Sequence, residues 1–146
     1  MSVDVKAEVV IERPREVVAD LMFNPKCDMI WVGGLTNVFP LTSGLLKKDS
    51  KVERVGSFAG RAFSTQLLVI KDVPNTSIEM SGDEPFEMKL FYELSDVPEG
   101  TRAKIRVQSI GEIRFQMPPT VLAKKVQENI TADLKKLKKH LETESV

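Results

Sequence analysis

The segment that most restricts the fold of this chain is its last one, Pro118 to Glu142. Leu122, Val126, Ile130, Leu134, Leu137 and Leu141 recur there at spacings of four and three. At ~100° per residue they stack on one face of a helix, and the other face is mostly lysine. Pro118 and Pro119 stand where a helix tolerates proline, since the first N–H groups have no partner to lose. A helix of about 23 residues is ~34 Å long, enough to cross a small domain. It needs an apolar surface to lie on.

The rest of the chain offers that surface as strands. Val3–Glu12 alternates, with Val5, Ala7, Val9 and Ile11 opposed to Asp4, Lys6, Glu8 and Glu12, which predicts a half-buried strand. Arg13-Pro14 ends it and starts a helix over 15–23 with Val17, Val18, Leu21 and Met22 as its buried stripe. Asn24, followed by Pro25, caps a second short helix over 26–32 that Gly33-Gly34 stops. Strands are then expected over 35–41, 51–58, 62–72, 76–81, 86–94 and 101–109, divided by Ser43-Gly44, Val73-Pro74-Asn75, Gly82 to Pro85, and Pro98-Glu99-Gly100. Turns this short join antiparallel neighbours. In 62–72 both parities are apolar, so its inward face stays open at this point. A sheet with one wet and one dry face, covered by the terminal helix, is an α+β two-layer domain.

Composition narrows the chemistry. At 146 residues the chain fits one domain, taken here as residues 1–146. Lysine plus arginine equals aspartate plus glutamate at 21 each, so no global field draws nucleic acid, and none is expected as a partner. The single Cys27 excludes an internal disulfide and a cysteine metal cluster, and neither metal nor cofactor is expected. A lone histidine, His140, near the chain end leaves no nucleophile–histidine pairing inside the fold. No apolar run is long enough to span a bilayer, and MSVDVKAEVV has acids where a signal peptide has bases, so the expected location is cytoplasmic.

The opening strand running straight into Arg13-Pro14-Arg15-Glu16-Val17, the Trp31 that closes the second short helix, the VIKDVP turn at Val69–Pro74 and the ending LKKLKKHLE resemble the START/polyketide-cyclase superfamily. That superfamily includes START lipid-transfer domains, birch-pollen-allergen-like proteins and bacterial aromatase/cyclases. The resemblance covers nearly the whole chain. It implies a helix-grip fold of about seven curved antiparallel strands around a long C-terminal helix, with a tunnel between them for sterols, phospholipids, polyketides or plant hormones. It also implies that the two short helices and nearby loops form the tunnel mouth; Trp31 is then either a gate, with Gly33-Gly34 as its hinge, or an anchor of the short helix to the core.

The inward set Met80, Met88, Leu90, Tyr92, Ile105 and Val107, with Val126 and Ile130 of the helix stripe, either fills that space as core or lines a pocket. Tyr92 needs a partner for its hydroxyl if buried, a ligand or backbone. Asp133 falls inside the apolar arc of the terminal helix, with Asn129 one turn before it. It is either a boundary residue, solvated or paired with Lys136 one turn on, or, with Asn129, the group that binds a ligand hydroxyl or amine. The 56–61 segment GSFAGR, with Phe58 and Arg61, is a candidate second rim, Arg61 meeting an acidic head group; it lacks the lysine of a phosphate loop. Lys124, Lys125, Lys135, Lys136, Lys138 and Lys139 form either a solvated outer face or a peripheral contact for an anionic membrane. The expected function is binding or transport of a hydrophobic small molecule by a monomer or homodimer. The alternatives are a cyclase, aromatase or dehydratase using the same cavity, and a protein-interaction module with a filled pocket.

Overall fold

The structure, a computed structural model, describes residues 2–113 and 115–143. Period-two alternation becomes strands β1 (Asp4–Ile11), β2 (Leu35–Pro40), β3 (Lys51–Phe58), β4 (Arg61–Val73), β5 (Ser77–Gly82), β6 (Met88–Val97) and β7 (Gly100–Ser109). They form a seven-stranded sheet in the order β1-β7-β6-β5-β4-β3-β2, antiparallel throughout. The meander pairs consecutive strands, and β1 closes the far edge on β7. Helix α1 (Arg15–Met22), the single turn α2 (Asp28–Trp31) and the long α3 (Pro119–Thr143) complete the fold. This is the helix-grip arrangement of an α+β protein.

One helix differs from expectation. The segment 26–32 is not a continuous short helix: Pro25–Cys27 is a 3-10 turn, and α2 is four residues long. Asn24 caps the first part through its side-chain oxygen, which accepts from the Lys26 N–H at 3.1 Å. A chain that reverses this often keeps few internal hydrogen bonds, so tertiary contacts must hold it.

The dry face of the sheet and one stripe of α3 share a core. Leu122, Val126, Ile130, Leu134, Leu137 and Leu141 are all buried, as are Leu90, Tyr92 and Leu94 on β6 and Ala103, Ile105 and Val107 on β7. Burying each large side chain contributes ~1.5–3 kcal/mol relative to exposure. On β4 the odd-numbered parity faces in: Thr65, Leu67 and Val69 are buried while Leu68 is exposed. The wet face carries diagonal ion pairs, Asp4 with Arg106, Glu8 with Arg102 and Glu79 with Lys89.

Two glycines are needed where β2 crosses β3. Gly34 has φ +80°, and a Cβ there would stand 2.6 Å from the Ser57 carbonyl oxygen. A Cβ on Gly56 would collide with the Gly34 carbonyl oxygen. The Ser57 N–H donates to that same Gly34 oxygen at 2.9 Å. Gly34 and Gly56 thus let two backbones meet, and the Ser57–Gly34 hydrogen bond pins the loop to the sheet.

Candidate ligand cavity

Between sheet and α3 a cavity of about 120 Å³ remains. Helix α3 contributes Val126, Asn129, Ile130 and Asp133; the strands contribute Phe58, Phe63, Met88, Leu90, Tyr92 and Ile105 among others; Trp31 to Gly33 closes the side under α2. The period-two and 3.6-residue patterns both converge on this space, because it is where the sheet's dry face and the helix stripe part from each other.

Two expected residues are elsewhere. Met80 has no exposed surface and belongs to the packed core. It sits on β5 opposite Leu90 of β6 and Val69 of β4, so its side chain fills the sheet–helix layer beside the cavity. Arg61 is exposed and lies outside the lining. Its guanidinium stacks 5.4 Å over the ring of Phe115, which in turn meets Phe58 edge-on at 6.0 Å. Arg61 therefore braces an aromatic ring behind the rim.

Asp133 is not a boundary residue paired with Lys136. It is 5% exposed, and its Oδ1 accepts the Gly33 N–H at 2.9 Å. Burial pushes its carboxyl up to about 6, against the Gly33 hydrogen bond and the positive charges of Lys136 and Arg54, which pull it down. Asp133 thereby ties the loop after α2 to the middle of α3. Trp31 is 1% exposed and packs on Tyr92, ring centres 5.6 Å apart. Its Nε1–H is buried with no acceptor among the described residues.

Tyr92 does not turn to backbone. Its hydroxyl accepts from Arg54 Nη2 at 3.0 Å. Arg54, on β3, also places Nε and Nη2 at 2.9 Å from Asp28 Oδ2, forming a buried ion pair at the root of α2. Burial pushes the Asp28 carboxyl up and the guanidinium draws it back. For Arg54, burial opposes the charge, but Asp28 and Tyr92 outweigh it and hold the guanidinium firmly protonated. Burial lifts the Tyr92 hydroxyl to about 12, so it stays neutral. The Asp28–Arg54–Tyr92 chain is what fastens the single turn α2 to the sheet.

Sequence reasoning missed Asp28 and Arg54. A signal for Arg54 was present: it shares the parity of Val52 and Phe58 on β3, so an inward strand face carries a charge. Asp28 left none, since a four-residue helix has no periodicity to read.

The chain matches no protein-family profile and no curated protein by sequence. Solved structures do match. The Zhui aromatase/cyclase from Streptomyces sp. R1128 superposes with a TM-score of 0.80 at 15% identity, covering 100% of this chain and 97% of that one. A START superfamily protein from Mycobacterium smegmatis gives 0.78 at 14% identity, with 99% of each chain covered. Ara h 8.0201 gives 0.72 at 9% identity over 98% of this chain. The fold is therefore the START-like helix-grip fold over the full length described. No helix among the described residues is long and apolar enough to cross a membrane.

Proposed function

We propose that this protein binds a hydrophobic small molecule in the space between the sheet and α3, as a carrier or receiver of that molecule. The observation that supports this most is the lining: aromatic and aliphatic walls interrupted by a few polar groups, among them Arg54, Thr65, Glu84, Asn129 and Asp133. Binding pockets have that composition. The volume argues for a compact guest. An apolar cavity of roughly 150 Å³ takes benzene, and the cavity here is about 120 Å³.

Native mass spectrometry of freshly purified protein, compared with a denatured sample, tests this directly. A bound mass in the native sample, lost in the cavity-filling variant Val126→Phe, is the expected result. Absence of a bound species, together with no stabilisation by any small apolar compound, overturns the proposal.

A catalytic use of the same site has one observation in its favour. A carboxyl titrating at about 6 inside a cavity can exchange protons near neutral pH. One structural neighbour is an aromatase/cyclase. Turnover of a poly-ketone substrate that Asp133→Asn abolishes without weakening substrate binding would establish it; unchanged turnover would remove Asp133 from it.

A further inference from the structure

Asp133 is the one carboxylate that α3 carries into the cavity wall, and its two oxygens have different surroundings. Oδ1 accepts the Gly33 N–H at 2.9 Å. Oδ2 has no hydrogen bond among the described residues, yet it is not sealed in as Trp31 Nε1 and Asp28 Oδ1 are. With the residue only 5% exposed, the opening left to Oδ2 is the cavity that Asp133 lines. Water entering that space is what solvates this side of the carboxylate.

An apolar guest takes the place of that water, and no neighbouring group replaces it. On α3 the Lys136 ammonium is exposed and outside the lining, so solvent screens its attraction, and Asn129 is neutral. On β3 the Arg54 guanidinium is already paired with Asp28 at 2.9 Å. On β6 the Tyr92 hydroxyl is neutral and held by Arg54. Glu84, between β5 and β6, lines the same cavity and adds a charge of the same sign as Asp133. A carboxylate that loses water without gaining a partner is costly, and taking up a proton removes the cost.

We propose that an apolar guest enters this cavity together with a proton on Asp133, so that the protein loads such molecules at mildly acidic pH and releases them as the pH rises. This rests on the binding function proposed above and adds its regulation. Burial already holds the Asp133 proton up to about 6, and a guest extends that burial. By linkage, the upward shift that the guest imposes on Asp133 equals the preference of the guest for the protonated protein. Affinity is therefore full below about pH 6 and falls as pH rises through the guest-bound value, about tenfold for each unit of that shift.

The test is calorimetric titration of the purified protein with p-xylene between pH 5 and pH 8, repeated near pH 6.5 in two buffers of different ionisation heat. The expected affinity is about tenfold weaker at pH 8 than at pH 5, and the heat should differ between the buffers as proton uptake requires. In a carbon NMR titration the Asp133 carboxyl midpoint should move up when p-xylene is added. Asp133→Asn keeps an oxygen for Gly33 and cannot ionise. It is expected to bind p-xylene at every pH about as tightly as the wild type does at pH 5, which also shows that its cavity is intact. Glu84→Gln should leave the pH dependence in place. A wild-type affinity that is constant or stronger at pH 8, or a dependence that survives Asp133→Asn or disappears in Glu84→Gln, overturns the proton linkage and leaves cavity binding standing. If neither p-xylene nor benzene binds at any pH, this proposal and the function beneath it fall together.

Discussion

The two halves of α3 lie on one sheet but meet it differently. In the second half Leu134 and Leu137 are closed in almost completely and Leu141 is buried outside the cavity lining, and backbone ties seal that end: Arg13 Nη1 donates to the Leu141 carbonyl at 3.3 Å, and Lys138 Nζ donates to the Val10 carbonyl at 2.6 Å. In the first half Val126 and Ile130 are equally apolar, yet they border open volume. The difference lies in what stands opposite. β1 runs along the helix on both sides of its middle, taking Gln127 Nε2 on the Lys6 carbonyl at 2.8 Å as it takes Lys138 on Val10, whereas the stretch from Val126 to Asp133 also faces a single helical turn fastened by a buried ion pair. The same hydrophobic stripe thus makes core where its counterpart is continuous and a cavity where it is not. Close packing is a property of both surfaces together.

The largest effect should come from the element that makes the halves unequal. Arg54→Met leaves Asp28 buried without a cation, and a loss of roughly 3–5 kcal/mol is expected from urea unfolding. Adding Asp28→Asn should return most of it. If the single and double variants are equally unstable, the pair does not anchor α2.

Next comes a direct contrast along α3. Leu137→Ala should cost about 3 kcal/mol, because nothing nearby can move into the hole. Val126→Ala should cost only about 1 kcal/mol, since its side chain already borders open volume. Equal losses would mean that both halves are packed alike.

The pH dependence isolates Asp133. Its folded-state value, about 6, lies above the model-compound 3.8, so the folded chain holds this proton more tightly than the unfolded one. Stability contributed by this group is therefore present below about pH 4 and declines as pH rises to about 6, by on the order of 2 kcal/mol. Asp28 changes in the same direction, so the wild type alone would mix the two. The difference between wild type and Asp133→Asn cancels Asp28. It should widen in favour of the variant between pH 4 and pH 6.5; a constant difference refutes the shift. The smallest effect is expected on the wet face, where Arg102→Ala breaks an exposed pair with Glu8 and should change stability by no more than about 0.5 kcal/mol.

Much of this contrast can be traced in the residues. The stripe Leu122 to Leu141 and the alternation of β6 and β7 specify both surfaces of the core, because burial imposes periods of 3.6 and 2 on regular elements. Asp133 is visible as a carboxylate within an apolar arc. Its Gly33 partner is not, since that contact joins residues a hundred positions apart through a loop. Met80 shows the limit from the other side: parity places it inward correctly, but parity cannot distinguish a side chain that fills the layer from one that borders a void. The inward face of β4 is hidden for a related reason. Leu67, Leu68, Val69 and Ile70 are apolar in succession, and only pairing with β3 and β5 decides which of them is buried.

The central claim is that the stretch of α3 from Val126 to Asp133 roofs a binding cavity and the stretch from Leu134 onward does not. A methyl-resolved NMR titration with p-xylene addresses it most directly. Shifts are predicted at Leu90, Ile105, Val126 and Ile130, with Leu134, Leu137 and Leu141 unmoved. Shifts spread evenly over both sets, or confined to the second, would contradict it.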